Sequence, residues 1–372
     1  MQPRTSSNRR VSSNRGLRAV LAVACFAAAS IATAQQPSAA PKVVVDPDGT
    51  VHMPAQVVPV SSYLSTEGKA YLAEHLVQVQ RPEMLVQESG VPPLLAGYLA
   101  RQRTLFAVDK DDTKVGGVHA YVYTPKNGIA EPNRDRVLID LHGGGFRECW
   151  PGCAELESMP IASLGRIKVV SVDYRQGPKY HHPAASEDVA AVYRELLKTY
   201  RPENVGIYGC SAGGMLTGMS VAWFQRHDLP RPGAIGILCA GAAGGVGAAF
   251  GGDANFTTMP LGEGRVAPAE TSSQAPMGYF AGTDPNDPLV TPASSPEVLA
   301  KFPPTLIVTA TRGFELSNAV YTHTQLVKQG VDADLHVWEG MFHGFFYNPD
   351  VPESRDCYDV IVRFFASRLG KR

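Results

Sequence analysis

Charge of one sign is what this sequence has least of. Across 372 residues, 34 Lys and Arg stand against 35 Asp and Glu, a formal net charge of -1. Without a basic field to meet phosphates, a nucleic-acid partner is not expected. Cysteine is scarce, with six in the chain. So sparse a set is not a disulfide framework, and without His at zinc-site spacing no structural metal is expected. Past residue 34 no apolar run is long enough to span a bilayer. Charged residues are held to 19 % and hydrophobic ones reach 44 %, which excludes disorder as the main state. What is abundant is glycine, at 36, and proline, at 29, and both predict many tight turns.

The N-terminal segment reads differently from the rest. Residues 1–18 carry Arg4, Arg9, Arg10, Arg15 and Arg18 and no acid. An Ala-rich apolar run follows from Ala19 to Ala34, ending in Ala32-Thr33-Ala34. Basic, apolar and small-residue regions in that order predict a cleaved secretory signal peptide over 1–34, the run being short for a span of ~20 residues. The mature chain, 35–372, is then expected to be periplasmic or secreted, with no stable membrane span. Of its cysteines, Cys149 and Cys153 lie in one Pro/Gly-containing loop, where they either pair after export or stay as free buried thiols.

Residues 35–60 read as an extended linker and 61–103 as helical, with Ser65-Thr66-Glu67-Gly68 as a helix start. Val118–Tyr123 alternates like a half-buried strand. Short apolar runs then alternate with helical segments. The strands are expected at Val137–Leu141, Ile167–Val172, Val205–Tyr208, Ala234–Leu238, Thr305–Thr309 and Ala333–Val337. The helices are expected at Ala185–Tyr200, Ser211–His227, Ser317–Gln329 and Ser354–Leu369. This alternation predicts an α/β fold with a mostly parallel sheet and helices on both faces, and ligands at the carboxyl ends of its strands. Residues 240–300 break the pattern and read as helical material lying over the sheet.

Three motifs fall at strand ends. Gly209-Cys210-Ser211-Ala212-Gly213 follows one strand and opens a helix, the context of a nucleophile elbow. His142-Gly143-Gly144-Gly145 follows another. Its glycines let backbone N–H groups approach a substrate, so Gly143, Gly144 and Ala212 are the expected oxyanion donors, with His142 holding the loop. A phosphate loop is the alternative, but the Lys and Ser/Thr it needs are missing. Gly245-Val246-Gly247 lacks the third glycine of a dinucleotide loop. His343 follows the last strand and is C-terminal to Ser211, as a general base should be in the order Ser, acid, His. His181, His182 and His336 lack that position.

With these pieces the chain resembles the hormone-sensitive-lipase-like branch of the α/β-hydrolase superfamily, the bacterial family IV carboxylesterases. The matching segments are His142–Phe146, Asp173-Tyr174-Arg175 with Pro183-Ala184-Ala185, Gly209–Gly214 and His343-Gly344-Phe345. The resemblance implies hydrolysis of small-molecule carboxylic esters of short to medium acyl chain, without cofactor. It also implies a cap built from about 35–103 and 240–300; a homo-oligomer is left open. Two positions depart. Gly313 stands where the family places its catalytic Asp, and Cys210 replaces the usual elbow Asp or Thr. Three readings follow: Glu315 reaches His343 in place of the Asp, or His343 is oriented by water or a backbone carbonyl, or the site is impaired. Asp332, Asp334 and Glu339 are poorer substitutes. The rival to an esterase is a binding protein that has kept the fold and lost turnover.

Overall fold

The computed structural model describes residues 42–86, 90–243, 252–265 and 278–371. The expected signal peptide and most of the glycine-rich stretch 241–252 lie outside the described residues.

The chain divides at Val57 and Val58 into two compact units. In the first, the expected linker is instead a small hairpin of β1 (Val44–Val45) and β2 (Val51–His52). Its turn, Asp46-Pro47-Asp48-Gly49, closes with the Gly49 N–H donating to the Asp46 carbonyl at 2.9 Å. Gly49 sits at φ +90°, where a turn residue without a Cβ is favoured.

The second unit opens with α1 (Thr66–Gln78) and α2 (Pro93–Leu105). Ser65 caps α1, its Oγ accepting the Gly68 N–H at 2.8 Å. Next come β3 (Val108–Val115), β4 (Val118–Pro125), β5 (Val137–Leu141), α3 (Gly152–Gly165), β6 (Lys168–Val172), α4 (Ala184–Leu196), β7 (Val205–Cys210) and α5 (Ala212–Arg226). The chain ends through β8 (Ala234–Leu238), α6 (Asp253–Gly262), α7 (Pro296–Leu299), β9 (Thr305–Ala310), α8 (Leu316–Lys328), β10 (Ala333–Trp338) and α9 (Pro352–Arg368). One eight-stranded sheet has the order β10-β9-β8-β7-β5-β6-β4-β3, parallel from β10 to β6 and antiparallel at β4 and β3. The expected mostly parallel architecture is what is observed.

Strands β5, β7, β8 and β9 are buried at every residue because both faces are covered. One apolar cluster joins Val189 and Tyr193 of α4 to Leu216 and Phe224 of α5. The other joins Leu156 and Met159 of α3 to Ile361 and Phe365 of α9, with Leu72 and Leu99 from α1 and α2.

Two further elements depart from expectation. Edge strand β3 reads Val-Asp-Lys-Asp-Asp-Thr-Lys-Val and is mostly exposed, so it lacks the apolar signal of a buried strand. Helix α3 carries Pro160 inside it, which disguises it in the sequence. Its first turn also holds Cys153, bonded to Cys149, which decides the open cysteine question in favour of a disulfide. Cys210, Cys239 and Cys357 are buried free thiols. No helix among the described residues is long and apolar enough to cross a membrane.

Candidate active site

Ser211 lies between the end of β7 and the start of α5 at φ 56° and ψ -118°, a conformation that costs a non-glycine residue ~1–3 kcal/mol. Its neighbours hold it there. The Ser211 N–H donates to the Leu238 carbonyl at 2.8 Å, and its own carbonyl accepts the Met215 N–H at 3.0 Å to begin α5. A Cβ on Gly213 would stand 1.5 Å from the Leu141 carbonyl oxygen, and one on Gly209 2.1 Å from the same atom. Both flanking glycines are therefore required by backbone on the adjacent strand β5.

His343 lies after β10 between Gly340 and Gly344, both at positive φ. Its loop is laced to the loop after β9: the Arg312 N–H donates to the Met341 carbonyl at 2.9 Å and the Gly340 N–H to Thr311 Oγ1 at 2.7 Å. That lacing brings Glu315 to His343, with Nδ1 and Oε2 3.0 Å apart. The other oxygen, Oε1, accepts the Thr309 hydroxyl at 3.0 Å. Glu315 is buried at the N-cap of α8, where the helix dipole favours a negative charge. Phe314 stacks on His343 with ring centroids 4.6 Å apart. Burial alone would lower the His343 pKa; the charge and hydrogen bond of Glu315 outweigh it and push the imidazole up to about 10.

Gly313 explains how Glu315 fits. A Cβ there would stand 2.5 Å from Glu315 Oε1 and 2.9 Å from its Cδ. The Glu315 carboxylate thus fills the space an Asp side chain at 313 would start from. Asp332 and Asp334 are paired with Arg368 beside the start of β10, away from His343.

The glycine loop follows β5. Gly144 and Gly145 have φ of +118° and +63°, and a Cβ on Gly144 would meet the Glu148 carbonyl oxygen at 2.0 Å. The expectation for Gly143 needs correcting: its N–H donates to Glu157 Oε1 at 2.9 Å and is not open to an oxyanion. No acceptor among the described residues takes the Gly144 or Gly145 N–H. Ala212, first residue of α5, has no intrahelical acceptor for its own. His142 is scaffolding, as expected. Its Nδ1 donates to the Gly143 carbonyl at 2.6 Å, Tyr174 stacks on its ring, and burial lowers its pKa to about 4.

Two neighbours were not foreseen. Cys239, just after β8, accepts the Gly344 N–H on Sγ at 3.3 Å. Its sulfur and ligand atoms of Glu315 and His343 lie within 4.8 Å of one another, but Nδ1 and Oε2 are already bonded, so a cation there would have to displace the imidazole proton. The second is Glu157 on α3. An acid pair, Glu155 and Glu157, interrupting an apolar stretch was its signal in the sequence. From the α1 side, His75 stacks on Phe342 at 3.7 Å and bonds the Gly262 carbonyl at 3.0 Å, so α1 and α6 both lie against the His343 loop.

Comparison with known proteins agrees with this fold. A family described as alpha/beta hydrolase fold matches residues 138–347. An acetyl-hydrolase of Streptomyces hygroscopicus is 30 % identical over 63 % of this chain and 77 % of its own length. The carboxylesterase/phospholipase LipF of Mycobacterium tuberculosis is 29 % identical over 62 % of this chain and 61 % of its own. Among solved structures, an esterase with 27 % identity superposes with a TM-score of 0.72, covering 86 % of this chain and 98 % of that one. An esterase from the bacterial hormone-sensitive lipase family, 25 % identical, gives 0.66 over 81 % and 99 %.

Proposed function

Because the chain belongs to the alpha/beta hydrolase fold family, we propose that it is an exported serine carboxylesterase cleaving short- to medium-chain esters through an acyl-enzyme on Ser211. Ser211 Oγ attacks the ester carbonyl while His343 Nε2 takes its proton. Glu315 holds the Nδ1 proton and stabilises the imidazolium. The N–H groups of Gly144, Gly145 and Ala212 face the oxyanion. The tetrahedral intermediate expels the alcohol, which takes the proton back from His343. Water, deprotonated by the same imidazole, then releases the acid and frees Ser211. No step calls for a cofactor. Helices α1 and α6, against the His343 loop, belong to the cap that bounds the substrate.

The observation that carries this reading is the 3.0 Å bond between His343 Nδ1 and Glu315 Oε2, in the space Gly313 leaves open. It favours an intact triad over a binding protein with a broken one. The acetyl-hydrolase relative supports the short end of the acyl range. The disulfide between Cys149 and Cys153 supports an oxidising compartment.

The test is hydrolysis of p-nitrophenyl acetate, butyrate and decanoate by the mature chain, with Ser211→Ala alongside. Turnover highest on the two shorter esters, and lost in Ser211→Ala, is expected. A natural chain no faster than Ser211→Ala identifies the binding protein instead. Export is checked by N-terminal sequencing of the protein recovered outside the cytoplasm, which should begin at Gln35.

A further inference from the structure

Glu157 accepts a hydrogen bond from each of three segments that meet at the site. The Gly143 N–H donates to Oε1 at 2.9 Å, the Cys210 N–H to Oε2 at 3.0 Å, and the Tyr347 hydroxyl to Oε1 at 2.8 Å. Gly143 precedes the two glycines of the oxyanion loop. Cys210 precedes Ser211. Tyr347 closes the short turn that starts at His343. The three lie close together, since a Cβ on Gly143 would meet the Cys210 carbonyl oxygen at 3.3 Å and the Tyr347 hydroxyl at 3.4 Å.

Glu157 is itself fixed. The Tyr208 hydroxyl of β7 donates to its carbonyl at 3.1 Å, and neighbouring Ser158 donates to Asp140 of β5 at 3.0 Å. Helix α3 is thereby stapled to the two strands that end in the glycine loop and the elbow. Resting on the esterase reading above, we propose that Glu157 is a positioning residue that sets the oxyanion loop in register with the nucleophile elbow.

Burial and the nearby Asp140 push the Glu157 carboxyl well above its ordinary range, while its three donors pull the other way. The upward direction suits a group behind an oxyanion hole, where a full negative charge would oppose the one that develops. Without its carboxylate, Gly143 would lose its acceptor, and the loop beside it, built on positive-φ glycines, would be free to shift. The oxyanion forms in the tetrahedral intermediate and the transition states around it and is absent from the bound ester, so such a shift lowers kcat and leaves KM alone.

The experiment compares wild type, Glu157→Gln, Tyr347→Phe and Ser211→Ala on p-nitrophenyl butyrate, with folding followed by circular dichroism. Gln keeps the shape but turns an amide N–H₂ toward a backbone N–H. The expected result for Glu157→Gln is a fall in kcat of roughly 10²-fold, with KM within about twofold. The rate at which a fluorophosphonate labels Ser211 should fall in step. Tyr347→Phe removes one donor of three and should lower kcat by roughly threefold to fivefold. A folded Glu157→Gln with kcat within about threefold of wild type, or a loss confined to KM, overturns the proposal. Should Glu157→Gln not fold, an unchanged kcat in Tyr347→Phe overturns it. Failure of the esterase reading looks different: wild type and Ser211→Ala are then equally slow.

Discussion

Two turns at the carboxyl end of the sheet bring groups to one place under very different constraints. The turn after β7 keeps a glycine on either side of the Ser211 elbow, Gly209 and Gly213, whereas the turn after β9 carries Gly313 where the resemblance implies an acid. At the first turn the walls are backbone: Gly209 and Gly213 both abut the Leu141 carbonyl of the adjacent strand, which cannot move without breaking the sheet. At the second, the requirement is one carboxylate oxygen at His343 Nδ1, and the wall beside Gly313 is the side chain of Glu315. A side chain can reach from two residues away if room is made for it. Backbone contact admits one residue type; a hydrogen bond admits any side chain that can deliver the atom.

The largest expected effect tests the rigid half of that contrast. Gly213→Ala places a methyl 1.5 Å from a buried carbonyl oxygen. It should cost more than about 4 kcal/mol, enough to unfold a marginally stable domain. Soluble yield and the thermal unfolding midpoint check it, and a folded, active Gly213→Ala would mean the elbow is softer than its distances.

Next is Glu315→Gln, expected to lower kcat by roughly 10³- to 10⁴-fold, as when a triad acid loses its charge. Its pH profile carries a sign. The base form of His343 is the active one, and Glu315 pushes its pKa up to about 10, so wild-type kcat/KM should keep rising with pH above neutrality. With the charge gone, the imidazole pKa falls and the acid limb moves to lower pH, though the plateau is lower.

How much of this could be read from residues alone follows the same division. The buried strands Val137–Leu141 and Ala234–Leu238 were visible end to end, because strands covered on both faces are continuous apolar runs. The elbow was visible because its glycines sit at fixed spacing beside Ser211. Strand β3 was not, since its exposed edge carries Asp and Lys; the two glycines at 116 and 117, both at positive φ, were the hairpin signal. Glu315 could be named as the candidate acid, but its contact with His343 could not be read from sequence, because reach to His343 depends on how two loops are laced across strands far apart in sequence. Gly143 was misread for a related reason: its acceptor sits on α3, a helix Pro160 conceals.

Gly313→Asp tests the tolerant half. Although it supplies the Asp that the resemblance implies there, its Cβ would stand 2.5 Å from Glu315 Oε1. The single change should therefore lower kcat, by roughly tenfold, since a carboxylate displaced by about 1 Å loses its alignment. Glu315→Ala clears that space, so the double variant Gly313→Asp with Glu315→Ala should recover at least about tenfold over Glu315→Ala alone. Additive losses in the double variant would mean the two positions do not share one site.

The smallest effect belongs to Thr309→Val. Thr309 is fully buried at the end of β9, and its hydroxyl donates to the Glu315 oxygen that does not touch His343. Valine keeps the volume and removes the donor, so the carboxylate loses one restraint without a cavity forming. A hydrogen bond of this kind contributes about 1 kcal/mol, so kcat should drop roughly fivefold with little change in the unfolding midpoint. If Glu315 were held by reach alone, Thr309→Val would equal wild type. If the whole arrangement depended on Thr309, it would match Glu315→Gln. A loss between those limits places the acid where the second turn suggests, as a side chain held by several modest contacts, none of them as unforgiving as the backbone under Ser211.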